Sequence, residues 1–118
     1  MINITKPTPD VTIYKQDFPQ ESHIYGFTEF HLITRETGGI FMFYNKQDEL
    51  LFVGKARKLR PRIKKHFEDT VSPMKPYRDQ VFKIEVCLVE DPVHREIYET
   101  YLINDGKAKY NEDKVFFR

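Results

Sequence analysis

Two short apolar runs, Gly39 to Tyr44 and Leu50 to Val53, are separated by five polar residues, Asn45 to Glu49, and the second run closes on Gly54-Lys55. Runs of this length, joined by polar turn residues, constrain the chain to a β-hairpin. The next residues narrow the choice again. Lys58 to Glu68 reads as a helix, with Pro61 in its first turn, where a missing N–H costs little. Leu59, Ile63 and Phe67 recur at i+4 and bury one stripe, while Arg62 and His66, also four apart, share the stripe beside it.

The same stretch concentrates the charge. Seven of the eleven residues from Lys55 to Lys65 are basic: Lys55, Arg57, Lys58, Arg60, Arg62, Lys64 and Lys65. The whole chain holds 19 basic and 18 acidic residues, so outside this block 12 basic residues stand against 18 acidic ones. A net charge of +1 thus conceals one cationic surface of the kind that meets a phosphate backbone. On charge alone, a solvated helix face accounts for the block equally well.

Further along, Phe82, Ile84, Val86 and Leu88 alternate with Lys83, Glu85, Cys87 and Val89, which reads as a third strand with one buried face. Asp91-Pro92 supplies a helix start, with Asp as N-cap and Pro at N1, and the helix runs to about Asn104 and stops at Gly106. Within it Val93, Ile97 and Tyr101 mark an apolar side, and Glu99 falls on the polar side opposite. Residues 69–80 contain two prolines and read as a loop with a helical turn. Val11 to Tyr14 and Phe27 to Ile33 are strand-like, interrupted by Phe18-Pro19, Ser22 and Gly26.

The expected architecture is α+β: a small central antiparallel sheet of at least three strands flanked by helices, with the hairpin at its centre. Residues 1–35 form an N-terminal extension, available to add strands at a sheet edge or to cover the binding face, and residues 36–118 form the main domain. At 118 residues and 40% hydrophobic, the chain builds one compact domain. Its single cysteine, Cys87, forms no intramolecular disulfide and no cysteine zinc cluster, which fits a reducing compartment. No signal-peptide pattern heads the chain and no apolar run approaches the ~20 residues of a membrane span. A cytoplasmic location with no membrane partner is the expectation.

The hairpin and helix resemble the GIY-YIG nuclease domain, in the form found at the N-terminal end of the UvrC excision-repair nuclease. Gly39-Ile40-Phe41 stands for the first signature, Phe52-Val53-Gly54-Lys55-Ala56 for the second, and Leu59-Arg60-Pro61-Arg62-Ile63 for the helix. Glu96-Ile97-Tyr98-Glu99 and Lys109-Tyr110-Asn111 look like the family's glutamate helix and the ending that follows it. The resemblance implies a metal-dependent DNA endonuclease. It implies Glu99 as the carboxylate for one divalent ion, Mg²⁺ or Mn²⁺, Arg62 and Lys55 beside the scissile phosphate, and Asn111 lining the site. It implies DNA as partner, with RNA open, and the basic block supplies Lys55, Arg57, Lys58, Arg60, Lys64 and Lys65 as candidate backbone contacts.

Both signature tyrosines are replaced, by Phe41 and Phe52, and a phenyl ring neither donates nor accepts a proton. Tyr44, three residues past Phe41, points to the other face of its strand. His66 falls in a slot where several family members carry histidine, and an imidazole of ordinary pKa takes a proton from water at neutral pH. Each candidate also has a plainer account: a surface histidine, a solvated glutamate, phosphate contacts without catalysis, and, for Asn111, a turn residue. Two functions follow, a slow nuclease or a nucleic-acid-binding module that kept the fold and lost the chemistry.

Overall fold

In a computed structural model, residues 4–17 and 24–118 are described. Phe18-Pro19 and Ser22, read above as breakers, lie outside them. Four strands, β1 (Val11–Tyr14), β2 (Gly39–Tyr44), β3 (Leu50–Ala56) and β4 (Lys83–Leu88), form one sheet in the order β1-β4-β2-β3, every neighbouring pair antiparallel. Helix α1 (Leu59–Glu68) covers one face and α2 (Pro92–Asp105) the other. The hairpin is therefore off-centre: β2 is an inner strand, and β3 is the sheet's edge.

Coverage on both faces explains why β2 is apolar throughout, since every one of its residues is buried. Phe41 and Phe43 enter the core beneath α1, where Leu59, Ile63 and Phe67 meet them. Ile40, Met42 and Tyr44 enter the core beneath α2, so Tyr44 lies across the sheet from Phe41. A register shift at Phe43/Tyr44 pairs Tyr44 with Leu50 and leaves Leu51 as the extra residue, so Leu51 and Phe52 share the α1 side. β4 is buried on both faces, unlike the one-faced strand expected: Ile84 and Val86 pack on the α1 side and Cys87 on the α2 side, while Leu88 runs out exposed.

The N-terminal extension does add a strand, since β1 pairs with β4 from Val11↔Val86 to Tyr14↔Lys83. The stretch from Phe27 to Ile33 does not. It forms a bridge at Ile24↔Phe27 and a 3₁₀ turn at Phe30–Leu32, and its Phe27 and Phe30 rings pack on Phe67 of α1. Burial against a helix, not a ladder, takes these side chains.

Helix α2 starts as its sequence predicts, with Asp91 accepting a 2.8 Å hydrogen bond from the Val93 amide. Its inward face is the reverse of the expectation. Val93 and Ile97 are 65% and 45% exposed, while Arg95, Leu102 and Ile103 are buried. Arg95 is buried at no loss because its guanidinium donates to the carbonyls of Val89 and Glu90 at 2.6 Å each.

Phe41 and Gly54 are cross-strand partners, and the Phe41 ring lies across the space a side chain at 54 would fill. Gly54→Ala should therefore destabilise the fold by ~1–3 kcal/mol through overpacking, read as a lowered urea midpoint at unchanged slope. An unchanged midpoint would show that the ring moves aside freely.

Candidate active site

The edge position of β3 creates the site. Beyond that edge, α1 on one face and α2 on the other leave a cleft of about 320 Å³. Phe41, Phe52 and Lys55 line it from the hairpin, Arg62 and His66 from α1, Glu99 from α2, and Asn111 to Lys114 from the chain that follows α2. Every site residue named from the sequence as catalytic or metal-binding thus borders one cleft, and the geometry separates what each can do there.

Arg62 is exposed at the cleft mouth, and no acceptor among the described residues meets its guanidinium. Its forked donors are free for an anion. Arg62 also borders a second opening, of about 380 Å³, with Arg57, Lys58, Pro61 and Lys65. These cations continue the cleft's positive side outward along α1. Lys58 makes one loose pair, 3.7 Å from Glu36.

Arg60 departs from the expected phosphate contacts. Its guanidinium donates to the carbonyls of Ile33 at 2.7 Å and His31 at 2.9 Å, which ties α1 to the N-terminal extension. On the helix Arg60 and Lys64 lie on the flank away from Arg62 and His66, because residues two apart diverge by about 200° around an α-helix. The basic block is split between two flanks, and only one continues the cleft.

The surroundings of His66 work against a neutral-pH base. Its ring sits among those of Phe52, Phe41 and Phe43, with centroids 4.8, 5.4 and 5.8 Å away, and its Nδ1 is 2.8 Å from the Ser72 hydroxyl. Burial, then the charges of Arg62 and Arg78, push its pKa down to about 4. At pH 7 the imidazole is neutral and holds protons too weakly to serve as an efficient general base.

Asn111 is neither a free ligand nor a turn residue. Its amide oxygen accepts from the Val53 N–H and its amide nitrogen donates to the Val53 carbonyl, both at 2.9 Å. With Tyr110 N–H donating to Leu51 at 2.8 Å and Lys109 N–H to Leu50 at 3.2 Å, residues 109–111 cover the outer edge of β3. Asn111 therefore shapes the cleft wall rather than reaching into it.

Glu99 borders the cleft with two other carboxylates, Glu112 and Asp113; its side chain is only 12% exposed, and it already holds a cation. Lys114 Nζ is 2.6 Å from Glu99 Oε1 and also pairs with Glu96, which pairs in turn with Lys55. Hydrogen bonds from Lys114 and then Lys55 hold the exposed Glu96 carboxyl down to about 2. Burial acts to lower the Lys114 pKa, and its bonds to Glu96 and Glu99 outweigh it, so the ammonium stays charged. Sequence reasoning missed Lys114 and Glu96. Glu96 stood within a quoted motif, three residues before Glu99, but Lys114 carries no local signal at all. Arg78 was missed too: buried, it caps the end of α1 by donating to the His66 carbonyl at 2.5 Å and to that of Asp69.

The donor set suits a hard, hydrated divalent ion. Glu99 meets positive charge in its contact with the Lys114 ammonium, and Glu112 and Asp113 border the same cleft. Mg²⁺ bound through one carboxylate, with water and phosphate completing its shell, matches such a site.

Comparison with known proteins agrees with this geometry. Residues 37–111 match the GIY-YIG catalytic domain family. The uncharacterized protein YurQ of Bacillus subtilis (strain 168) is 63% identical over 124 residues, covering 100% of both chains. The UvrABC system protein C of Cytophaga hutchinsonii is 34% identical over 85 residues, which are 66% of this chain but 14% of that protein. Among solved structures, a point mutant of the GIY-YIG N-terminal endonuclease domain of UvrC from Thermotoga maritima, bound to its catalytic divalent cation, superposes with a TM-score of 0.63 at 25% identity, over 71% of this chain and 93% of that one. The match across the hairpin, α1, β4 and α2 is one of sequence and of fold together: the chain belongs to the GIY-YIG catalytic domain family.

Proposed function

We propose that this protein is a metal-dependent endonuclease that hydrolyses phosphodiester bonds in DNA. The observation that carries the reading is the approach of Arg62 and Glu99 to one cleft from opposite faces of the sheet. A scissile phosphate lying at the β3 edge meets the Arg62 fork on one side, which stabilises the charge developing on its oxygens. Glu99 holds a divalent ion on the other, and when bound that ion supplies Lewis-acid polarisation and lowers the pKa of water. Lys55, turned toward Glu96, adds positive charge at the cleft wall. Neutral His66 keeps the Phe41 and Phe52 rings in place. Arg57, Lys58 and Lys65 bind flanking backbone. Residues 36–118 supply the nuclease unit, and His31 and Ile33 of the extension brace α1 through Arg60.

The two phenylalanines do not argue against the metal. The Thermotoga maritima domain carries its divalent cation as a tyrosine-to-phenylalanine point mutant. They do favour a second reading, a nucleic-acid-binding module without chemistry, because no aromatic hydroxyl stands at either position.

Purified protein incubated with labelled single-stranded, duplex and branched DNA, and with RNA, in Mg²⁺, Mn²⁺ or EDTA separates the two. Cleavage dependent on the metal is expected. Binding without cleavage under all conditions would leave the module. In either case affinity should fall steeply with salt, and replacing Lys58 and Lys65 by Ala should flatten the slope by about one unit per lost phosphate contact, whereas Arg60→Ala should leave it unchanged.

A further inference from the structure

The ammonium on Glu99 is not a surface lysine that happens to be near. Lys114 has a φ of 62°, a left-handed conformation rare for a side chain of this kind. Such a backbone persists when its surroundings hold it, and here they do. The Asn104 side chain of α2 fastens the backbone just after the residue, its Nδ2 donating to the Lys114 carbonyl at 2.8 Å and its Oδ1 accepting from the Phe116 N–H at 2.6 Å. Val115, between those two bonds, and Phe117, just beyond them, pack against the core beneath α2. Arg118 folds back to the carbonyls of Asn111, at 3.2 Å, and Lys109, at 2.6 Å. The tail is fastened before and after Lys114, and the fastening aims its amine at Glu99.

We propose that Lys114 is a tethered counter-cation of Glu99 that a divalent ion must displace, so that this residue sets the metal affinity of the site. The inference rests on Glu99 as the metal-binding carboxylate. Lys114 meets Glu99 Oε1, so a divalent ion on the same carboxylate stands close to the ammonium, and their repulsion inside a partly buried cleft is screened less than on the open surface. Glu96, one helical turn before Glu99, already accepts from the same amine and keeps it when Glu99 is taken. Lys114 therefore swings between two carboxylates, and the tail need not unfasten. The metal-free protein avoids a buried unpaired charge, and the metal-bound form retains a positive group beside the cleft.

The test is Mn²⁺ binding by the full chain, followed by isothermal titration calorimetry and by the electron paramagnetic resonance of free Mn²⁺. Lys114→Met, which keeps the stem and removes the charge, should tighten Kd about tenfold, equivalent to about 1.4 kcal/mol. Asn104→Ala, which keeps the ammonium and frees its tether, should tighten it about threefold, and it serves alone if Lys114→Met does not fold. Glu99→Gln should abolish binding. An unchanged or weaker Kd in Lys114→Met, or in Asn104→Ala where that variant stands alone, with Glu99→Gln still abolishing binding, overturns the inference and leaves the metal site intact. Binding that survives Glu99→Gln, or its absence from every variant, overturns the metal site itself.

Discussion

Phe41→Tyr should raise metal-dependent cleavage by ~10²-fold or more, since a placed acid/base group contributes ~10²–10⁴, while Glu99→Gln should bring it to background. The Phe41 ring, fully buried, has its tip over Gly54 and borders the cleft, so a hydroxyl on that tip stands at the cleft's inner wall. Neutral His66 beside it does not already fill that role, because a group of pKa about 4 is a weak base at pH 7. Single-turnover rates for the wild type and both variants on the same DNA decide the matter. A Phe41→Tyr rate equal to the wild type, with His66→Ala as damaging as Glu99→Gln, would return proton transfer to the histidine.

Acid should destabilise this fold before its carboxylates titrate. His66 has an ordinary pKa near 6.5 in the unfolded chain and about 4 in the fold. The unfolded state therefore takes up a proton that the native state refuses. Stability from this residue is fully present above pH 6.5 and is lost as pH falls from 6.5 toward 4. The loss is roughly 3 kcal/mol, at about 1.4 kcal/mol per pKa unit, a large part of a small domain's total. Urea unfolding at pH 7 and at pH 4.5 measures it. His66→Phe keeps a ring among the three phenylalanines and should remove most of the dependence in that window. An equal loss in the variant would place the titrating group elsewhere.

The parts of the fold that could be read in advance are those where local chemistry and tertiary environment agree. The hairpin, the Leu59-Ile63-Phe67 stripe and the Asp91-Pro92 helix start each depend on neighbours in sequence, and each stands where its pattern puts it. Helix α2 misleads because its periodicity was read by hydropathy alone. Its apolar Val93 and Ile97 face outward, and its packed side carries Arg95, whose donors are satisfied by carbonyls that only the fold brings near. Arg60 reads as a phosphate contact because it lies in the basic block, but the carbonyls of Ile33 and His31 engage it first; Asn111 lines the cleft as expected, while its amide is bonded to the edge of Val53. Lys114 was invisible for the same reason. Its partner lies 15 residues earlier on another element, and nothing beside it in sequence marks the meeting.

The pairing of Phe41 with Gly54 also bears on how such a site can diverge. The first signature contributes a ring and the second a bare backbone, and in space they are the two halves of a single contact. A hydroxyl can be gained or lost at the tip of that ring without disturbing the glycine beneath it. A side chain cannot be gained at the glycine without disturbing the ring. Across related chains, the substituent at position 41 should therefore drift while its ring and Gly54 are inherited together, so that one of the two signature hydroxyls can be lost or regained here with the scaffold unaltered.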